Sequence, residues 1–115
     1  MTNTAIETHW TYACKVQDIP EDGGACALLY GEQIAIFNFA RLDKWYATQN
    51  LYPHKQQMVL SRGMIGYAND VPKIACPFHK RTFSLIDGHC LNDDECESIK
   101  MYDVKIVDGK VYVEI

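Results

Sequence analysis

Residues that favour turns recur at short intervals along the whole chain and restrict it to short extended segments. Gly, Pro, Asn and Asp separate the apolar runs, and such punctuation is typical of β-strands joined by turns. No segment shows the long 3.6-residue period of an amphipathic helix. Asp108-Gly109 lies between two apolar runs and predicts a two-residue hairpin turn, because both central positions of that turn need positive φ. The sequence therefore predicts an all-β domain with little helix.

The apolar runs predict strands at residues 10–14, 25–30, 33–39, 45–48, 71–76, 82–86, 101–107 and 110–115. Gly31-Glu32 is expected to turn the second strand into the third. We interpret residues 50–70 as a long loop, and loops of this length in compact domains are often functional. Cys14 and Cys26 are expected to be buried thiols, and Cys90 is expected in a polar loop.

Length and composition narrow the class of protein. The 115 residues predict one domain at 10–115, preceded by a flexible tail at 1–9. The net charge of −4 disfavours nucleic acid as a partner. No apolar run approaches the ~18 residues of a membrane span, and the polar start lacks a signal-peptide pattern. We therefore expect a cytoplasmic protein with neither a nucleic-acid nor a membrane partner.

Two short loops contain the residues best suited to bind a metal or cofactor. One contains Tyr52-Pro53-His54 and the other contains Cys76-Pro77-Phe78-His79. Cys and His a few residues apart at a turn can face one metal ion, and such spacings suit zinc and iron–sulfur sites. The residues alone leave open a zinc site at His54, Cys76 and His79, an iron–sulfur site, or a turn retained for its shape.

These loops, with Gly63, Phe83 and Gly88 at their expected positions, resemble the Rieske pattern. In that family two Cys and two His hold a [2Fe–2S] cluster. The resemblance covers about residues 10–115 and implies a Rieske-like fold, a small antiparallel β-sandwich or barrel with a two-loop ligand-type subdomain. By position, the vestigial ligand set is Tyr52, His54, Cys76 and His79.

Tyr52 stands where the Rieske pattern has its first Cys, and Lys80 stands where Gly commonly follows the second His. A phenol ionises only near pH 10 and offers hard oxygen in place of soft sulfur. A conventional [2Fe–2S] cluster is therefore disfavoured, and the chain is expected to hold no cofactor.

An incomplete ligand set beside Leu60-Ser61-Arg62-Gly63 resembles one family in particular, the small subunit of assimilatory NAD(P)H-dependent nitrite reductase. Residues 24–29, 33–37, 83–91 and 108–111 add to this resemblance. It implies an accessory subunit that is not catalytic alone. A large subunit would reduce nitrite to ammonium and would carry FAD, siroheme and a [4Fe–4S] centre.

Basic and apolar residues at the two loop tips predict a surface that docks the large subunit, since Arg and aromatic residues often anchor interfaces. These residues are Lys55, Met58, Phe78, Lys80 and Arg81. Two other functions stay open from the residues: a Rieske-type ferredoxin that transfers one electron, which needs the complete cluster, and a zinc-binding module.

Overall fold

A computed structural model describes residues 10–53, 56–77, 81–92 and 97–115. Within these ranges the regular elements are β-strands and three 3-10 turns, at Val16–Asp18, Ala40–Leu42 and Leu60–Arg62. No helix of the described chain is long and apolar enough to cross a membrane. The expectation for residues 1–9 lies outside the described residues.

The strands are β1 (Trp10–Lys15), β2 (Gly23–Leu29), β3 (Glu32–Phe39), β4 (Lys44–Gln49), β5 (Leu51–Tyr52), β6 (Gln57–Met58), β7 (Met64–Ala68), β8 (Val71–Ala75), β9 (Thr82–Ser84), β10 (Met101–Tyr102), β11 (Val104–Val107) and β12 (Lys110–Glu114).

The strands form antiparallel sheets, as the sequence predicts. A three-stranded sheet has the order β1-β12-β11, and a four-stranded sheet has the order β10-β4-β3-β2. The hairpin β5-β6 and the sheet β7-β8-β9 make up a second part of the molecule, from which both candidate ligand loops emerge. This arrangement confirms the predicted all-β architecture.

Strand β3 lies between two hydrophobic cores because both of its faces are apolar. Ile34 and Ile36 pack into one core with Val111 and Val113 of β12. The alternate residues Ala35, Phe37 and Phe39 belong to the other core, which also contains side chains of β5, β8 and β9. Successive strand residues point to opposite faces, so the nearly continuous apolar run predicts a strand that is buried on both sides.

Three hairpins turn through two residues that both have positive φ, the arrangement of a type I′ turn. The turn at Asp108-Gly109 is confirmed. A second turn, Asn69-Asp70, joins β7 to β8. The third joins β2 to β3 at Tyr30-Gly31, one residue before the predicted Gly31-Glu32.

The prediction of one long loop at 50–70 is wrong. Strands β5, β6 and β7 and a 3-10 turn lie within these residues. β5 and β6 have two residues each, too few for a visible period, and Gly66 interrupts the pattern of β7. These strands form because they pair with neighbours: β7 pairs with β8 from Met64↔Ala75 to Ala68↔Val71.

Three expectations about cysteines and two strand boundaries also need correction. Cys14 is half-buried and Cys26 is exposed. Cys26 lies on the face of β2 opposite the one that packs against a core. Cys90 is buried, although polar residues surround it in the sequence. An isolated antiparallel β-bridge pairs it with Phe83. The strand predicted at 82–86 ends at Ser84, and the strand predicted at 101–107 is interrupted at Asp103.

Candidate functional site

The two candidate ligand loops leave the ends of β5 and β8, and a hydrogen bond joins described residues on the two sides of each loop. In the first loop, Gln56 donates its side-chain N–H to the carbonyl of Pro53 at 2.8 Å. In the second, the Cys76 N–H donates to the Arg81 carbonyl at 3.0 Å. His54, Lys55, Phe78, His79 and Lys80 lie outside the described residues.

Tyr52 and Cys76 meet in one buried cluster. Tyr52 is 0% exposed and Cys76 is 6% exposed. The Tyr52 ring packs edge-on against Phe83, with ring centroids 6.2 Å apart, and all three residues belong to the same core. Aromatic pairs of this geometry stabilise a core beyond their buried area. Tyr52 is therefore a packing residue at a position that the sequence predicts to correspond to a Rieske metal ligand.

The described donor set does not fit a Rieske cluster. Such a cluster needs two thiolates on one iron, and here the pair is one thiol and one buried phenol. Among residues 10–53, 56–77, 81–92 and 97–115, no group of three His, Cys, Asp or Glu side chains is arranged to hold a metal ion. Zinc ligation by His54, Cys76 and His79 stays a prediction, because both histidines lie outside these ranges.

Asn50 fixes the segment that follows the first loop, a role that the sequence analysis missed. Its side chain is 2% exposed. The amide donates to Gln33 Oε1 at 3.0 Å and accepts the Ser61 N–H at 2.7 Å. Its backbone accepts the Leu60 N–H at 3.1 Å. Asn is typical of turns, so the sequence indicates a loop residue and gives no sign of this buried position.

Gly63 allows the same segment to approach the second loop closely. A Cβ atom at this position would lie 2.2 Å from the carbonyl oxygen of Ala75, the residue before Cys76. Only glycine permits this approach between backbones. The Leu60–Gly63 motif is thus held from one side by Asn50 and from the other by the strand that leads to Cys76.

The predicted docking residues that the structure describes are accessible to different degrees. Met58 is 47% exposed, and Arg81 is half-buried. Met58 lies on a groove together with Leu28 and Tyr102, a neighbourhood that the sequence does not predict.

Two thiols and one carboxyl are among the groups with shifted pKa values. Partial burial raises the pKa of the Cys14 thiol, and the charge of Asp18 raises it further. Partial burial also raises the pKa of Cys26. The side chain of His89 donates a hydrogen bond that lowers the pKa of Asp87. Thiolates are the reactive form of cysteine, so both shifts reduce the thiolate fraction of Cys14 and Cys26 at neutral pH.

Comparison with known proteins identifies the family. The model of the Rieske-like [2Fe-2S] domain family matches residues 9–114. The nitrite reductase (NADH) small subunit of Salmonella typhimurium is 39% identical over 104 residues, which cover 90% of this chain and 95% of that protein. The chain belongs to the family of nitrite reductase small subunits, within the Rieske-like domains. The NMR structure of the Escherichia coli NirD protein shares the fold, with a TM-score of 0.83, 37% identity, and coverage of 94% of this chain and 97% of that one.

One relative contains a domain similar to this chain within a much longer polypeptide. The nitrite reductase [NAD(P)H] large subunit of Klebsiella oxytoca is 36% identical to this chain over 104 residues. The match covers 90% of this chain but 11% of that protein. A domain like the small subunit is therefore part of one longer polypeptide in that relative.

Proposed function

We propose that this chain is the accessory small subunit of a cytoplasmic NAD(P)H-dependent nitrite reductase. It supports the reduction of nitrite to ammonium by a large subunit that carries FAD, siroheme and a [4Fe–4S] centre, and it holds no [2Fe–2S] cluster itself. The similarity to small subunits over almost the whole chain carries this proposal. The buried Tyr52 supports the proposed absence of a cluster, because its phenol replaces a thiolate ligand.

The partner in this proposal is the large subunit. The Klebsiella oxytoca relative supports it, because a polypeptide named as the large subunit contains a region similar to this chain. Two domains within one polypeptide meet at high effective concentration. Two separate chains need a surface that binds tightly enough to replace that tether.

We place one part of this surface at the loop tips. Met58 is accessible there and Arg81 is partly so, while Lys55, Phe78 and Lys80 complete the predicted patch. A positive patch with apolar members suits an interface in which charge steers association and apolar contacts hold the complex.

A Rieske-type ferredoxin is the weaker alternative. It needs a complete cluster, and Tyr52 removes one of the two thiolates. No observation on the described residues favours it over an accessory subunit.

Co-expression with a large subunit tests the proposal. A tag on this chain is expected to recover the large subunit in a stable ratio, and Lys80→Glu with Arg81→Glu is expected to lower the recovery. The matched control is Lys105→Glu with Lys110→Glu, two exposed lysines of the β1-β12-β11 sheet. The proposal fails if the tagged chain purifies alone and nitrite-dependent NAD(P)H oxidation is the same with and without it.

A further inference from the structure

A groove opens beside the turn between β2 and β3 and shares Met58 with the sequence-predicted patch. Its volume is about 330 Å³, and its walls include Leu28, Leu51, Met58, Tyr102, Lys100 and Glu32. Leu28 is 70% exposed and Met58 is 47% exposed. Exposed apolar side chains that line one depression indicate a binding surface more strongly than scattered ones do.

Tyr30 stands at the tip of the hairpin that forms one wall of this groove. It is 81% exposed and has a φ of 50°, at the first central position of its turn. The same position is occupied by Asn69 and Asp108 in the other two turns, and these residue types tolerate positive φ. A bulky side chain there is an outlier. The chain thus accepts backbone strain to present an aromatic ring to solvent, and strained residues cluster at functional sites.

The opposite wall of the groove is held in place by hydrogen bonds. Gln49 and Lys100 pair twice: the Gln49 N–H donates to the Lys100 carbonyl at 3.0 Å, and the Lys100 N–H donates to Gln49 Oε1 at 2.8 Å. The Lys100 ammonium lies 4.8 Å from the centroid of the Tyr102 ring. The Tyr102 hydroxyl donates to Glu32 at 3.5 Å. An apolar centre with a polar rim is the usual anatomy of a protein interface, and here it is preformed.

We propose that this groove and Tyr30, together the hairpin groove, dock a segment of the large subunit that inserts an apolar side chain between Leu28 and Met58. This inference rests on the proposed function. The Klebsiella oxytoca relative supports this choice of partner. There the similar domain is 11% of a polypeptide, and the rest of that polypeptide is always close to the domain. Tyr is among the residue types that contribute most of the binding energy at protein interfaces.

The variants Tyr30→Asn and Leu28→Gln separate binding from folding. Asn favours the positive φ of the turn, so Tyr30→Asn is expected to melt at the wild-type temperature or above. Leu28 is exposed, so Leu28→Gln is expected to fold normally. Each variant is expected to weaken binding of the full chain to the purified large subunit about tenfold or more in titration calorimetry.

Leu42→Gln is the matched control. Leu42 is 51% exposed and follows the far end of β3, about 25 Å from Tyr30 along the strand. It is expected to bind like the wild type.

The inference is overturned, and the proposed function stands, if Tyr30→Asn and Leu28→Gln bind as tightly as the wild type. It is also overturned if they abolish only a self-association seen by sedimentation, since the occupant would then be a second copy. Absence of wild-type binding would overturn the proposed function itself.

Discussion

At the scale of single residues, Tyr52 is a core side chain at a predicted ligand position. A thiolate ligand would face a metal, whereas the Tyr52 ring is fully buried against Phe83. The sequence predicts that the ligand is missing. It does not predict how the position is used, because packing against Phe83 depends on strands that are distant in sequence.

Tyr52→Ala is expected to lower the free energy of unfolding by about 3–5 kcal/mol, since it leaves a large cavity in the core. Met58→Ala, in the partner strand of the same hairpin, is the control and is expected to change it by less than about 1 kcal/mol. Urea unfolding measures both values. Similar losses for the two variants would show that Tyr52 is not a core residue.

The raised pKa values of Cys14 and Cys26 predict how stability depends on pH. Their thiols ionise more readily in the unfolded chain, near the ordinary pKa of 9.0, than in the folded chain. Stability is therefore retained below about pH 9 and lost as the pH rises through the folded-state pKa values.

The urea midpoint is expected to be nearly constant up to about pH 8 and to fall as the pH rises above about 9, and to fall less in the double variant Cys14→Ala, Cys26→Ala. A fall of equal size in both proteins would assign the pH dependence to other groups.

At the scale of elements, the segment between the two loops is positioned by close backbone contacts. Gly63→Ala would place a Cβ atom 2.2 Å from the Ala75 carbonyl oxygen. Because both atoms belong to backbones, relief requires the strands to separate. The expected loss of stability is about 3 kcal/mol.

Gly66→Ala is the matched control within the next strand, where the nearest atom to a new Cβ would be Lys73 Cε at 3.6 Å. It is expected to leave the melting temperature nearly unchanged. Amide hydrogen exchange should show faster opening at Leu60 and Ser61 in Gly63→Ala alone. Equal tolerance of the two alanines would contradict the close approach.

Most strands could be predicted from the sequence, but the elements around the site could not. β3 and the Asp108-Gly109 hairpin follow from local apolar patterns and turn chemistry. β5, β6 and β7 form through pairing with other strands and through the buried Asn50. These contacts join residues distant in sequence, so no local hydrophobic periodicity predicts them. Tyr30 could be read as the end of a strand, and its unusual turn conformation appears only in three dimensions.

At the scale of the whole molecule, the chain provides a rigid scaffold with two candidate contact surfaces. The core on one side of β3 joins that strand to β5, β8 and β9, which flank the two loops. A subunit that acts through its surfaces needs no redox group of its own. In one relative a similar domain is part of the large-subunit polypeptide. A covalent tether there would serve the purpose that we propose for a docking surface here.

Reconstitution of nitrite reduction with metal-free small subunit tests this view most directly. The chain is purified in chelator, shown to contain no iron or labile sulfide, and added to the purified large subunit while nitrite-dependent NAD(P)H oxidation is recorded. We predict that the metal-free chain supports the same activity as chain purified from iron-replete, anaerobic cells. Activity that appears only with iron-loaded chain would show that the subunit carries electrons and would contradict the account.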